Sequence, residues 1–193
     1  SPDSISIGFI DRRGEFVIPP RFQGVGTFGE GLCMAIEAGM GGYIDRSGEW
    51  VITPRFAWSG AFREGLAPAS LDGRGVGYID RGGDWVAQPV YRYGGEFGQG
   101  LAAVVLEGRT GYIDQGGQLV IPCRYDEGTA FSEGLAAVRL NGRVSYIDKR
   151  GDRRIPPRFT AGTTFLLGVA LVSEEDRILA IDRTGAILWQ IAP

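Results

Sequence analysis

Six aspartates, Asp11, Asp45, Asp80, Asp114, Asp148 and Asp182, follow one another at steps of 34, 35, 34, 34 and 34 residues. A period of that size confines the chain to a tandem array, in which one supersecondary unit is copied and each copy buries its apolar face against its neighbours. Nothing like a linker interrupts the period. The sequence therefore reads as a single repeat domain over 1–193, with copies at about 7–40, 41–75, 76–109, 110–143 and 144–177 and a partial unit at 178–193. A separate catalytic domain does not fit.

The fourth copy shows the grammar. Tyr112 to Asp114 and Gln118 to Ile121 flank an Asp-x-x-Gly turn, and Leu135 to Leu140 continues through Asn141-Gly142, a strong hairpin dipeptide, into Tyr146. Three short antiparallel strands per copy are implied. Between the second and third runs a link with two recurring aromatics. The first row is Phe22, Phe56, Tyr91, Tyr125 and Phe159, and the second is Phe28, Phe62, Phe97, Phe131 and Phe165. Recurrence at one phase is what stacking into a continuous core requires, so both rows are assigned to structure. The expected fold is all-β, an open, curved, solenoid-like array of hairpins, with a propeller-like ring as the alternative. Six first-second strand pairs against five third strands leave no spare strand to complete a ring, which favours the open form.

Composition removes most chemistry. The 193 residues contain no histidine, which excludes Ser-His-Asp and Cys-His nucleophiles, histidine acid-base work and most zinc or iron sites. The two cysteines, Cys33 and Cys123, lie at different phases three copies apart, too far to bridge in an open array. Cys33 stands where other copies have Ala67, Ala102, Ala136 and Ala170, the place of a small buried side chain. A net charge of −3 gives no bulk attraction for nucleic acid or anionic lipid. No apolar run approaches the roughly twenty residues of a membrane helix. The opening Ser1-Pro2-Asp3-Ser4, with no initiator Met, reads as a processed or trimmed form, and localisation stays open.

The elements Gly-Tyr-Ile-Asp-x-x-Gly-x-Trp-Val-Ile, Pro-Arg-Phe and Phe-x-x-Gly-Leu-Ala, best seen from Gly42 to Ala67, resemble the WG-repeat family, a β-rich repeat common in bacteria. The likeness covers nearly the whole chain. It implies a general interaction module without one shared ligand, and no cofactor is expected for a scaffold of that kind. The Trp after the first turn is kept as Trp50 and Trp85 but is Phe16, Leu119, Arg153 and Ile187 elsewhere. Arg153-Arg154 breaks the apolar second strand of the fifth copy, and Ala180 replaces the usual Tyr, which reads as a capping region with altered faces.

A row of six Asp invites ideas of metal binding or paired carboxylates, but Asp at the first position of a tight turn accepts hydrogen bonds from its own backbone, and that structural role is expected here. Arg21, Arg55, Arg124 and Arg158 repeat before the first link aromatic, with Val90 as the exception. Glu30, Glu64, Gln99 and Glu133 repeat before the third strand. These rows are expected to pair between copies or to face solvent, and the sharper reading is an Arg stripe gripping a partner's carboxylates. Binding is expected where the period is broken by a large side chain. Trp58, Arg92 and Tyr93 stand where other copies have Gly24, Asp126, Glu127 or Ala161, and Trp, Tyr and Arg most often anchor interfaces. With Arg21, Arg55, Arg153 and Arg154 they form the candidate site of a non-enzymatic scaffold for a protein or peptide, as an adaptor or a toxin-neutralising immunity protein. A cell-wall carbohydrate or small-ligand module is the alternative.

Overall fold

The computed structural model describes residues 6–175 and 177–191. The opening Ser1-Pro2-Asp3-Ser4 lies outside them. All regular structure among the described residues is β. It begins with a two-stranded antiparallel sheet, β1 (Ile7–Ile10) and β2 (Phe16–Phe22). Five four-stranded sheets follow, each with sequence neighbours side by side. The second sheet is β3 (Gly24–Gly29), β4 (Leu32–Glu37), β5 (Met40–Ile44) and β6 (Trp50–Phe56). The third is β7 (Trp58–Ser59), β8 (Ala67–Ser70), β9 (Val76–Ile79) and β10 (Trp85–Tyr91). The fourth is β11 (Tyr93–Gly94), β12 (Leu101–Leu106), β13 (Arg109–Asp114) and β14 (Leu119–Tyr125). The fifth is β15 (Glu127–Gly128), β16 (Ala136–Leu140), β17 (Arg143–Ile147) and β18 (Arg153–Phe159), and the sixth is β19 (Ala161–Gly162), β20 (Ala170–Glu174), β21 (Arg177–Ile181) and β22 (Ile187–Ile191).

Hydrogen bonding stops at the edges of each sheet and none closes into a barrel. Small four-stranded meanders of this kind are the units from which propellers are built. The three-strand grammar needs correcting in one respect. The link after the first aromatic contributes a further strand, only two residues long in β7, β11, β15 and β19. The sheet is also out of phase with the sequence copy, because each sheet takes its last hairpin from the following copy.

The Asp turn explains the period. In all six copies the Asp Oδ1 accepts the backbone N–H groups two and four residues ahead, for example Gly116 and Gln118 at 2.9 Å each for Asp114. The glycine three residues on takes positive φ, 77° at Gly117, which a Cβ would strain. Ala38-Gly39, Glu107-Gly108 and Asn141-Gly142 close three further hairpins with both φ positive, the conformation of a two-residue type I′ turn. Gly42, ahead of Tyr43, is required for another reason: β5 bulges there and a Cβ would lie 2.5 Å from the Ile52 carbonyl oxygen.

The chain divides into two compact units, Ser1–Val90 and Tyr91–Pro193. In the first, neighbouring sheets meet through Trp50 edge-on to Phe22 (5.6 Å, 84°) and Trp85 edge-on to Phe56 (6.1 Å, 89°). Tyr43, fully buried, packs against Phe62 at 4.8 Å and donates its hydroxyl to the Gly60 carbonyl at 2.6 Å. The second unit repeats the arrangement. Tyr112 packs on Phe131 and donates to Thr129 O, and Tyr146 packs on Phe165 and donates to Thr163 O, both hydrogen bonds at 2.8 Å. Desolvation drives the phenol pKa values up, to about 12 for Tyr43 and Tyr146 and higher still for Tyr112. The link aromatics are buried as expected, with Phe28 half-buried.

Candidate functional site

The repeated charged residues are engaged inside the fold. Arg21, Arg55, Arg124 and Arg158 each lay the guanidinium over the ring of the next residue, 4.9 to 5.1 Å from its centroid. The same groups reach the following sheet. Arg21 donates to the Gly48 carbonyl, Arg55 to Gly83 and Arg124 to Gly151, all in the next Asp turn. Arg158 instead forms a bidentate pair with Glu174, at 2.8 and 2.9 Å, which lowers the Glu174 pKa. A cation over an aromatic face and tied to a carbonyl is a clasp between sheets. The geometry thus favours the inter-copy role for Arg21 and Arg55. Val90, the exception in the row, is exposed and ends the first unit.

The acidic row works in the same direction. Glu30 accepts the Gly65 N–H at 2.9 Å, Gln99 accepts Gly134 N–H at 2.8 Å, and Glu133 accepts Gly168 N–H at 3.0 Å. Each side chain caps the corresponding turn one copy ahead. Arg81, the residue after Asp80, returns to donate to the Glu30 carbonyl at 2.8 Å. Sequence reasoning passed over this row of Arg12, Arg46, Arg81, Lys149 and Arg183. Its signal was available as a cation directly after the ruler Asp.

The six aspartates aim their acceptors into their own turns, and hydrogen bonds from the hydroxyls of Ser47 and Thr184 hold Asp45 and Asp182 below the usual carboxylate range. Among the described residues no group of three or more His, Cys, Asp or Glu is arranged to hold a metal ion. Cys33 is buried, lies 3.3 Å from the Gly26 carbonyl, and burial pushes its thiol up. Both cysteines are free. No helix among the described residues is long and apolar enough to cross a membrane.

The residues that break the period lie elsewhere. Trp58 and Tyr93 each open a two-residue edge strand, paired with Ser70 and Val105, and are 46% and 57% exposed. Arg92 precedes Tyr93, with its backbone N–H fixed on the Val105 carbonyl at 2.8 Å and its side chain in solvent. In the next copy the same places hold Asp126, paired with Arg109, and Glu127, 3.0 Å from Arg139 Nε. Glu127 is thus paired within its own sheet, and Asp126 joins Arg109 of the fourth sheet to the Asn141 N–H of the fifth, which it accepts at 2.8 Å. Trp58 belongs to the first unit and Arg92 and Tyr93 to the second. Arg153 and Arg154 open β18, both exposed, with Arg154 Nε 3.2 Å from Asp148 Oδ2.

In the region read as a cap with altered faces, Leu166, Leu167, Leu188 and Trp189 are exposed. Leu167 takes the place of the capping Glu and keeps its positive φ, 52°.

Solved structures share this fold at low sequence identity. A eukaryotic initiation factor superposes with a TM-score of 0.56 at 11% identity, over 97% of this chain and 71% of that one. Hsv2 of Kluyvelomyces marxianus gives 0.55 at 10% identity over 84% and 58%, and BamB of Moraxella catarrhalis gives 0.52 at 16% over 88% and 63%. The chain spans less than two thirds of BamB and of Hsv2. These likenesses are of fold alone. No curated protein shows a significant match to the sequence. The WG containing repeat matches residues 7–37, 42–74, 77–109 and 111–143, which are the first four copies set by the Asp ruler. With more than half of its length matched in register, the chain belongs to the WG containing repeat family.

Proposed function

We propose that the protein is a non-enzymatic scaffold that binds another protein or a peptide through the edge-strand positions occupied by Trp58, Arg92 and Tyr93. One observation carries the reading. The aromatics that keep phase in the link are buried or half-buried, whereas Trp58 and Tyr93 occupy a place filled by Gly, Glu or Ala in the other copies and are exposed over about half of their surface. Exposing an indole and a phenol forgoes burial of large apolar surfaces, and such residues anchor partners. Arg92 adds a planar donor for a carboxylate. An adaptor or a toxin-neutralising immunity protein would use such a surface without a cofactor.

The test places a photo-crosslinking residue at exposed Ala57, beside Trp58, with exposed Val120 as the control position, in cells of the native host. Defined polypeptide adducts at position 57 and none at position 120, and loss of the former when Trp58→Ala, Arg92→Ala and Tyr93→Ala are added with unchanged circular dichroism, are expected. Adducts that persist in the triple variant overturn the site. Binding to purified cell walls or glycans that the triple variant loses supports the carbohydrate reading instead.

A further inference from the structure

The last strand of each sheet opens on a residue that decides how the sheet meets its neighbour. In the second and third sheets it is Trp50 and Trp85, both half-buried, and their rings meet Phe22 and Phe56 of the preceding sheet. The Trp85 ring also lies on its own sheet, because a Cβ at Gly77 would come within 2.7 Å of Trp85 Cζ3. The indole thus fills a space floored by a glycine and backed by an aromatic of the adjoining sheet.

In the fifth sheet both partners differ. Arg153 opens β18 in the place of Trp50 and Trp85, and Ser145 stands in the place of Gly42, Gly77 and Gly111. The remaining openings, Phe16, Leu119 and Ile187, are apolar, so Arg153 alone brings a charge to this position. The backbone frame is kept, with Ile147 opposite Arg153 as Ile44 is opposite Trp50. With the ring withdrawn, an open pocket of about 290 Å³ lies at the spot, lined by Leu140, Asn141, Arg143, Ser145, Arg153 and Pro157.

Its walls divide by chemistry. Leu140 and Pro157 give an apolar floor, and Leu140 packs on the buried cluster that holds Tyr125, the counterpart of Phe56. The rim is cationic. Arg143 is anchored by donating Nη1–H to the Arg158 carbonyl at 3.0 Å, which leaves further guanidinium donors for a ligand. Ser145, itself 97% buried, adds a hydroxyl to the wall. The carboxylates that approach these residues are already committed: Glu174, which feels the charge of Arg143, to Arg158 in a bidentate pair, and Asp126 to Arg109 and the Asn141 N–H. Among the described residues neither Arg143 nor Arg153 forms an ion pair.

We infer that this pocket binds a small planar aromatic carboxylate. Its ring takes the space that an indole fills in the second and third sheets, over Leu140 and Pro157. Its carboxylate lies between Arg143 and Arg153, with the Ser145 hydroxyl as a further donor. Guanidinium forks suit a carboxylate better than any other anion-binding side chain, and two of them at one rim select for a charged rather than a neutral ring. The volume is at the small end of pockets that hold small molecules, enough for one ring system and its acid group. The site shares no residue with Trp58, Arg92 and Tyr93, and its test fails or succeeds separately from theirs.

The probe is indoleacetate, titrated into the whole chain by isothermal calorimetry, with indole and acetate as separate controls. Saturable binding at a single site is expected, at least tenfold tighter than for either control. Arg143→Ala and Arg153→Ala each weaken it at least tenfold, since each removes one charged donor group. Ser145→Gly combined with Arg153→Trp restores the pair seen at Gly77 and Trp85, fills the pocket with the protein's own indole and abolishes binding. In the wild type, bound indoleacetate shifts the Leu140 methyl signals in NMR spectra by its ring current and leaves those of buried Leu66 unmoved. No binding, equal affinity for indole and indoleacetate, unmoved Leu140 signals, or unchanged affinity in the double variant overturns the assignment. Should the variants fail to fold, the wild-type Leu140 shifts and the preference for indoleacetate over indole still decide.

Discussion

Replacing Asp114 by Ala removes both acceptor contacts of one ruler turn, the hydrogen bonds from Gly116 and Gln118 N–H at 2.9 Å each. The turn is solvent-exposed, so water replaces part of the loss. At a net value near the middle of the usual range for one such bond, the pair contributes roughly 1–2 kcal/mol. That corresponds to a fall in thermal midpoint of roughly 2–4 °C per kcal/mol in a chain of this size. Asp114→Asn keeps the Oδ1 acceptor and tolerates the same local turn, so it retains most of that stability. Urea unfolding of the wild type and both variants gives the energies, and amide hydrogen exchange locates them, with protection lost at Gly116 and Gln118 in the Ala variant alone. Equal losses in Asn and Ala would show that charge, not acceptor geometry, holds the turn. An Ala variant with wild-type stability and protection would refute the role of the Asp row in setting register.

Two further outcomes follow from the same contacts. The buried phenols of Tyr43 and Tyr146 have folded pKa values of about 12 against an ordinary value of 10, so their stabilising contribution is complete below pH 10. It is lost as pH rises from 10 towards 12, by roughly 2–3 kcal/mol for each phenol at most, and ultraviolet titration should show these phenols ionising together with loss of the strand signal; early ionisation in an intact fold would contradict their burial. At the capping turns, Glu133→Ala should cost roughly 1 kcal/mol by releasing the Gly168 N–H. Leu167→Gly should instead gain up to about 1 kcal/mol by relieving a left-handed backbone. Denaturant midpoints that move the same way in both variants would sink this account.

What was legible in the chain was local. The Asp-x-x-Gly turn and the Asn141-Gly142 hairpin encode their conformation within five residues, and the two aromatic rows encode burial by recurring at one phase. The two-residue strands were not legible, because β7 exists only through the pairing of Trp58 with Ser70, twelve residues away, and no propensity signal resides in two residues. The Arg row was visible but its target was not. Arg21 reaches the carbonyl of Gly48, 27 residues ahead, a contact that depends on how one sheet stacks on the next. For the candidate site, the break in phase at Trp58, Arg92 and Tyr93 could be read from the sequence, and their exposure could not, since a Trp out of phase fills extra core as readily as it faces water.

The capping row shows how a repeat separates backbone form from side-chain role. Glu30, Glu64, Gln99, Glu133 and Leu167 all hold φ between 51° and 56°, a left-handed conformation that L residues adopt at a cost and that glycine would adopt freely. At Glu30, Gln99 and Glu133 that cost is offset, because a long side chain with a terminal oxygen reaches the N–H of the turn one copy ahead. Glycine would relieve the strain and lose the link. Leu167 keeps the strained form with no oxygen to offer, and its side chain is 90% exposed. The backbone is therefore imposed by the repeat, the phenyl ring before it and the Gly after it, and the side chain at this position is left to be set by what lies ahead. In the interior copies that is the next turn. At Leu167 the same backbone carries an exposed apolar side chain beside exposed Leu166, so one turn geometry serves a polar link in one copy and an apolar surface in another.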